Sequence, residues 1–230
     1  MKDLPSLPIF WLAVTLIVFE AADTLSRRSN RFPLFHPVIL GTPVLIGLLL
    51  LTDTPYRTYL DQTYPLAFLL GPAVVGLAVP IWARRAIIRK LAVPLALALL
   101  AGSVTAIVSA VGLLALFGAP ADILASIAPR ATTTPVAMEM AAQLGGIPAL
   151  AAAIVLLAGT VGGTTATPLF NALGIRDYRA RGFAVGISAH GFGAARAFQV
   201  DETAGTFASL GLALNAVATC IILSVVALVV

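Results

Sequence analysis

The chain has 230 residues; 60% are hydrophobic and 10% are charged. Soluble domains carry about 25% charged residues, so this composition cannot cover a water-facing surface, and a mean hydropathy of +1.01 makes a bilayer the matching solvent. The net charge of +4 sits in short clusters between apolar runs, which encodes membrane topology and excludes a nucleic-acid partner.

A spanning helix needs roughly 20 apolar residues. Runs of that kind predict helices over 8–25, 34–51, 65–82, 91–117, 148–173, 182–198 and 204–230. The first carries Glu20 and Asp23 near its end and has no basic leader, so it reads as a retained helix and not a cleaved signal. A shorter run, 132–143, is too brief to cross alone. Three connections are basic: Arg27, Arg28 and Arg31; Arg84, Arg85, Arg89 and Lys90; and Arg176, Arg179 and Arg181. Those at 52–64 and 199–203 are acidic or balanced. Placing basic loops inside puts the N-terminus outside, and the parity holds if 132–143 re-enters from the outer side.

The expected fold is therefore all-α: a polytopic integral membrane protein of about seven spans plus a re-entrant half-helix. It is one transmembrane domain, 1–230, with an extra N-terminal helix (1–30), a first half (31–118) and a second half (119–230). Each half has a span, a Gly/Pro-interrupted span and a long final span, in opposite senses. That is the pattern of inverted repeats with broken helices, in which the breaks point to a binding site. Small residues recur every four positions at Ala98, Gly102, Ala106 and Ala110, and at Gly159 and Gly163, and suit close helix packing.

Three breaks carry the candidate chemistry. In Leu69-Leu70-Gly71-Pro72-Ala73, Gly71 and Pro72 suit the cap and first position of a new half-helix; a simple proline kink is the equal alternative. In the segment Pro129 to Met140, Thr134 suits an N-cap and Pro135 the first helical position. The hydroxyls of Thr132, Thr133 and Thr134 add donors to the positive end of a helix, which suits an anion. Glu139 lies just inside that half-helix. A carboxylate in lipid is a functional hypothesis by default, here a proton-coupling one, with a structural ion pair as the alternative. In Ser188 to Arg196, Gly191 and Gly193 can break the helix. His190 can titrate near neutral pH, or simply bond a neighbouring helix. Arg196 is the only arginine well inside an apolar run and either holds a carboxylate or snorkels.

Other chemistries fail. His36, His190 and the lone Cys220 make no metal site and no internal disulfide. Ser188 and His190 are too close along one helix for a hydrolase triad, and no nucleotide loop occurs. No enzyme and no cofactor is expected.

YPLAFLLGPAVVGLAVPIW, RATTTPVAMEMAAQLGGIPAL and ARGFAVGISAHGFGAARAF resemble the LrgB/CidB family of antiholin-like proteins, over about Asn30 to Val230. The resemblance implies two functions. One is transport of small monocarboxylates of the pyruvate, glycolate and glycerate class, as in the plastidal glycolate/glycerate translocator. The other is a holin-like regulator of murein hydrolase activity and lysis. It also implies a bacterial inner-membrane location and a small LrgA/CidA-type partner; a homo-oligomer is the other assembly expected. The first function leads at this point, because the broken segments bring polar groups that a purely oligomeric pore does not need. Its site is expected where Thr132 to Thr134, Glu139, His190 and Arg196 converge, with Glu139 competing for Arg196 unless protonated.

Overall fold

The computed structural model describes residues 9–29, 35–76 and 78–229. Arg31, the first residues of two predicted helices (8 and 34) and Val230 lie outside the described residues. Among those described, every regular element is a helix: α1 (Phe10–Arg28), α2 (Pro37–Leu51), α3 (Tyr56–Gln62), α4 (Tyr64–Gly76), α5 (Ala78–Ala83), α6 (Arg85–Lys90), α7 (Ala92–Leu116), α8 (Ala121–Ile127), α9 (Thr134–Gln143), α10 (Pro148–Ala172), α11 (Tyr178–Val200) and α12 (Glu202–Val229). The long apolar runs became helices close to their predicted limits, except that the run 65–82 corresponds to two helices, α4 and α5, with position 77 outside the described residues. The short helices α3, α6 and α8 were not expected, because each is too short or too polar to register as an apolar run.

Among the described residues, three helices are long and apolar enough to cross a membrane: Ala92–Leu116, Pro148–Ala172 and Glu202–Leu228. The chain is an integral membrane protein. The other expected spans fall short of that description for visible reasons. α2 and α4 have 15 and 13 residues, α1 carries Glu20, Asp23, Arg27 and Arg28, and α11 carries His190 and three arginines.

The chain forms two compact units, Met1–Ala78 and Val79–Val230. In the first, the buried Trp11 of α1 donates its backbone N–H to Gln62 Oε1 at 3.0 Å and sets its ring edge-on to Tyr59. Thr15 meets the Tyr59 hydroxyl at 3.2 Å, so α1 and α3 are joined by polar bonds as well as by packing. Gly71 and Pro72 do not open a half-helix. α4 runs unbroken through both, with Pro72 internal and exposed. A proline inside a membrane helix is tolerated where neighbouring groups re-satisfy the freed carbonyl.

In the second unit, α11 and α12 are the most intimately packed pair. A Cβ added at Gly182 or Gly186 would overlap the carbonyl oxygen of Ala204 or Ala208, so the backbones touch through glycine. Gly211 of α12 returns the contact against Phe183. The predicted pair Gly159 and Gly163 on α10 receives His190 and Phe192, and Gly102 on α7 receives Ile187. Beneath these seams lie an apolar cluster of Phe183, Ile187, Phe207 and Leu210 and another of Ala137, Ala141, Ala151 and Val155 that seats α9 on α10. Ser126 of α8 completes the frame by accepting from the Ile147 N–H at 2.7 Å where α10 begins.

Candidate functional site

Each predicted polar residue has its own partners, and no cavity is lined by Thr132 to Thr134, Glu139, His190 and Arg196 together among the described residues. Thr132 is fully buried and donates to the Pro129 carbonyl at 2.8 Å. Thr133, one residue earlier than predicted, is the N-cap of α9, and its side chain makes no capping bond; Thr134 and Pro135 open the helix. Glu139 is exposed and accepts from Gln143 at 2.9 Å. A pair between Glu139 and Arg196 is therefore not formed. Arg196 lies one turn from the end of α11, bonds Gln199 at 3.0 Å, and borders a cavity of only about 30 Å³ with Gly163, Phe170 and Arg181.

The break in α11 falls on His190 itself, at φ 40° and ψ −133°. Neither Gly191 nor Gly193 takes a positive φ, so the glycines are not what bends the helix. A non-glycine residue in this region costs on the order of 1–3 kcal/mol and persists only where its surroundings fix it. Here the imidazole is buried and its Nε2 meets the Val155 carbonyl at 2.8 Å. Gly159, one turn further along α10, leaves the space for the ring: a Cβ there would come within 2.5 Å of it. The interhelical-bond reading of His190 is the one the geometry realises.

The larger opening lies elsewhere. Between α7 and α11 runs a cleft of about 670 Å³, with Leu95 and Phe183 on its walls and Thr105, Ser109, Ser188 and Arg130 facing it. Its charged lining residues are Arg130, Asp177 and Arg179. The last two pair at 2.6 Å, and the Arg179 hydrogen bond holds the Asp177 carboxyl below the usual carboxylate range. They cancel, which leaves Arg130 as the net charge of the cleft.

Arg130 stands on the non-helical turn between α8 and α9. Its Nη2 donates to the Ala106 carbonyl at 3.3 Å. Ala106 is about 21 Å along an α7 of 25 residues at about 1.5 Å per residue. The guanidinium therefore reaches the middle of a crossing-length helix, and among the described residues no carboxylate pairs with it. Arg196, the arginine well inside an apolar run of the sequence, lies near the end of α11, as its snorkelling alternative requires, whereas Arg130 lies against the middle of α7.

Non-helical backbone at such depth must have its polar groups satisfied by protein. Asn215 of α12 supplies this. Its side-chain amide donates to the Ala131 carbonyl at 2.7 Å and to the Ile187 carbonyl at 3.2 Å, and its Oδ1 accepts from Ser103 at 2.7 Å. All these atoms are buried. One side chain thus fixes the neighbour of Arg130, the neighbour of Ser188 and the inner face of α7, which are the three sides of the cleft. Sequence reasoning passed over Asn215. The signal was a lone amide in the middle of a long apolar run, which in a membrane implies an interhelical bond.

A profile of the LrgB-like family matches residues 15–229. The chain belongs to the LrgB-like family. Similar proteins span nearly their whole length with it. The YwbG protein of Bacillus subtilis is 32% identical over 90% of this chain and 92% of its own, and the YxaC protein of the same organism is 34% identical over 90% and 91%. The holin-like protein CidB of Staphylococcus epidermidis is 26% identical over 96% of each. No solved structure matches. The family match to this LrgB-like chain thus covers most of its length, a range that contains positions 130 and 190.

Proposed function

We propose that this LrgB-like protein is a holin-like component of the bacterial inner membrane that regulates murein hydrolase activity and lysis. The supporting observation is family membership over residues 15–229 together with the holin-like name of the CidB relatives. Such a component acts with a small CidA/LrgA-type membrane partner or as a homo-oligomer. Seven crossings with 132–143 re-entrant and the N-terminus outside fit the basic loops. The test is made in cells. Deleting the gene is expected to change the murein hydrolase bands of a zymogram and the rate of autolysis, with restoration by the wild-type copy. Unaltered bands and lysis in the deletion would remove this reading.

One observation favours a second reading, facilitated passage of small monocarboxylates such as pyruvate, glycolate and glycerate. It is the mid-depth cation at a cleft between two helices, because an unpaired charge at that depth is costly and is kept for an anion. In this reading Arg130 takes the part first given to Arg196. Proton coupling through Glu139 has no support in its exposed bond to Gln143. The two readings separate by size: a facilitator passes small acids and retains larger dyes.

A further inference from the structure

We infer that α11 is a re-entrant hairpin and not a crossing helix: it enters from the inner face, which carries the basic loops, turns at His190 and returns to that face, and its tip is pinned to an opposed dip, 128–143, to form a gate across the second unit. This takes one crossing from the seven that the basic loops alone fit, and it holds for either proposed function.

Four contacts fold α11 back on itself. A Cβ added at Gly193 would lie 2.6 Å from Val185 Cγ1 and 3.1 Å from the Val185 carbonyl oxygen, although residues eight apart on a continuous helix are separated by about 12 Å. Arg181 and Arg196 line one small cavity; a continuous helix would hold them about 22 Å apart. α12 begins just after α11 ends and lays Ala204 on Gly182 and Ala208 on Gly186. It thus runs parallel to the first arm of α11, which requires Val200 to be back beside the start of that arm. Glu202 meets Arg84 at 3.4 Å, so the connection 199–203 lies on the face of the basic loop 84–90. Its acidic residues do not oppose this, because carboxylates contribute little to sidedness. The two arms, 178–189 and 191–200, are about 18 and 15 Å long, each too short for a hydrocarbon core of about 30 Å.

The opposed dip enters from the other face. Ser126 and Ile147 are bonded at 2.7 Å, so the chain enters and leaves the dip at one level, while Arg130 between them reaches Ala106. Ala106 lies about 15 Å short of Leu116, the end of α7 away from the basic loops. Asn215 donates to Ala131 in this dip and to Ile187 near the tip of the hairpin. The cleft between α7 and α11 has Leu91, Asp177 and Arg179 at its inner end and Arg130 at its deep end. It therefore opens to the inner face and is closed by the dip. The closure consists of two short segments pinned by one amide, which can part while the crossing helices α7, α10 and α12 stay in place.

Single cysteines in a Cys220→Ser background are labelled with a membrane-impermeant maleimide in intact cells and in inverted vesicles. Leu173→Cys, before the first arm, and Glu202→Cys, after the second, should both label only in inverted vesicles. Asp122→Cys should label only in intact cells. Labelling of Glu202→Cys in intact cells would make α11 a crossing helix and overturn the hairpin. Labelling of Asp122→Cys from the same side as Leu173→Cys would overturn the opposed dip. Thr105→Cys, in the cleft, reads the gate and should label from the inner face alone. Asn215→Leu should raise its labelling rate in intact cells at least about tenfold, the scale of a lost buried hydrogen bond, while Leu173→Cys and Asp122→Cys keep their sides. Gly159→Ala, whose Cβ would displace the His190 ring, carries the same arm if Asn215→Leu fails to fold. Labelling of Thr105→Cys that stays confined to the inner face in the folded variants would overturn the gate.

Discussion

Replacing Asn215 with leucine is expected to lower the stability of the second unit by roughly 2 kcal/mol or more, the cost of leaving two buried carbonyls without donors at about 1–3 kcal/mol each. The carbonyls are those of Ala131 and Ile187. Interhelical hydrogen bonds in membranes average only about 0.6 kcal/mol when measured pairwise, because unfolded segments find other partners. Asn215 exceeds that average for a structural reason. The Ala131 carbonyl belongs to a non-helical turn, so no turn of helix is there to accept its loss, and Ser103 loses one of its two acceptors while keeping Leu99 at 2.8 Å. Leucine adds no void, so the effect reads the bonds and not a cavity. Thermal unfolding in detergent measures it, and limited proteolysis should cut first between Pro129 and Thr133. An unchanged melting temperature with no new cleavage would show that the network is dispensable.

Gly186→Ala should destabilise the protein by about 1–3 kcal/mol, the usual scale of overpacking. The added Cβ would lie 2.8 Å from the Ala208 carbonyl carbon and closer still to its oxygen. Those are backbone atoms, so α11 and α12 must separate. Gly182→Ala meets Ala204 in the same way. Gly191→Ala is the control. Nothing lies within 4 Å of that site and its φ is not positive, so alanine, the better helix former by about 1 kcal/mol, should be neutral or stabilising. Equal melting temperatures for the Gly186 and Gly191 variants would mean that the α11–α12 seam is looser than described.

The sequence made the helices legible because lipid demands long apolar runs, and α7, α10 and α12 end within a few residues of their predicted limits. What it hid was depth. Arg130 sits between two prolines, outside any apolar run, so its hydropathy marks it as a loop residue. Only the folding back of α8 and α9 against α7 brings it to Ala106. Arg196 showed the opposite error, since it lies in an apolar run and yet near a helix end. The break at 188–196 was placed correctly but assigned to the wrong residue: glycine freedom pointed to Gly191 and Gly193, whereas the bond to Val155 and the space at Gly159 fix His190. Gly182 and Gly186, at the same spacing as the pairs singled out, were visible and passed over because arginines flank Gly182.

The holin-like reading is tested most directly by reconstituting the purified protein in lipid vesicles loaded with both labelled pyruvate and carboxyfluorescein and following the release of each. A holin-like component predicts release of the dye together with the acid, dependent on the protein and rising with its surface density. Release of the acid alone, saturable and lost in Arg130→Gln while the dye stays inside, would contradict it and leave selective passage of small acids as the function.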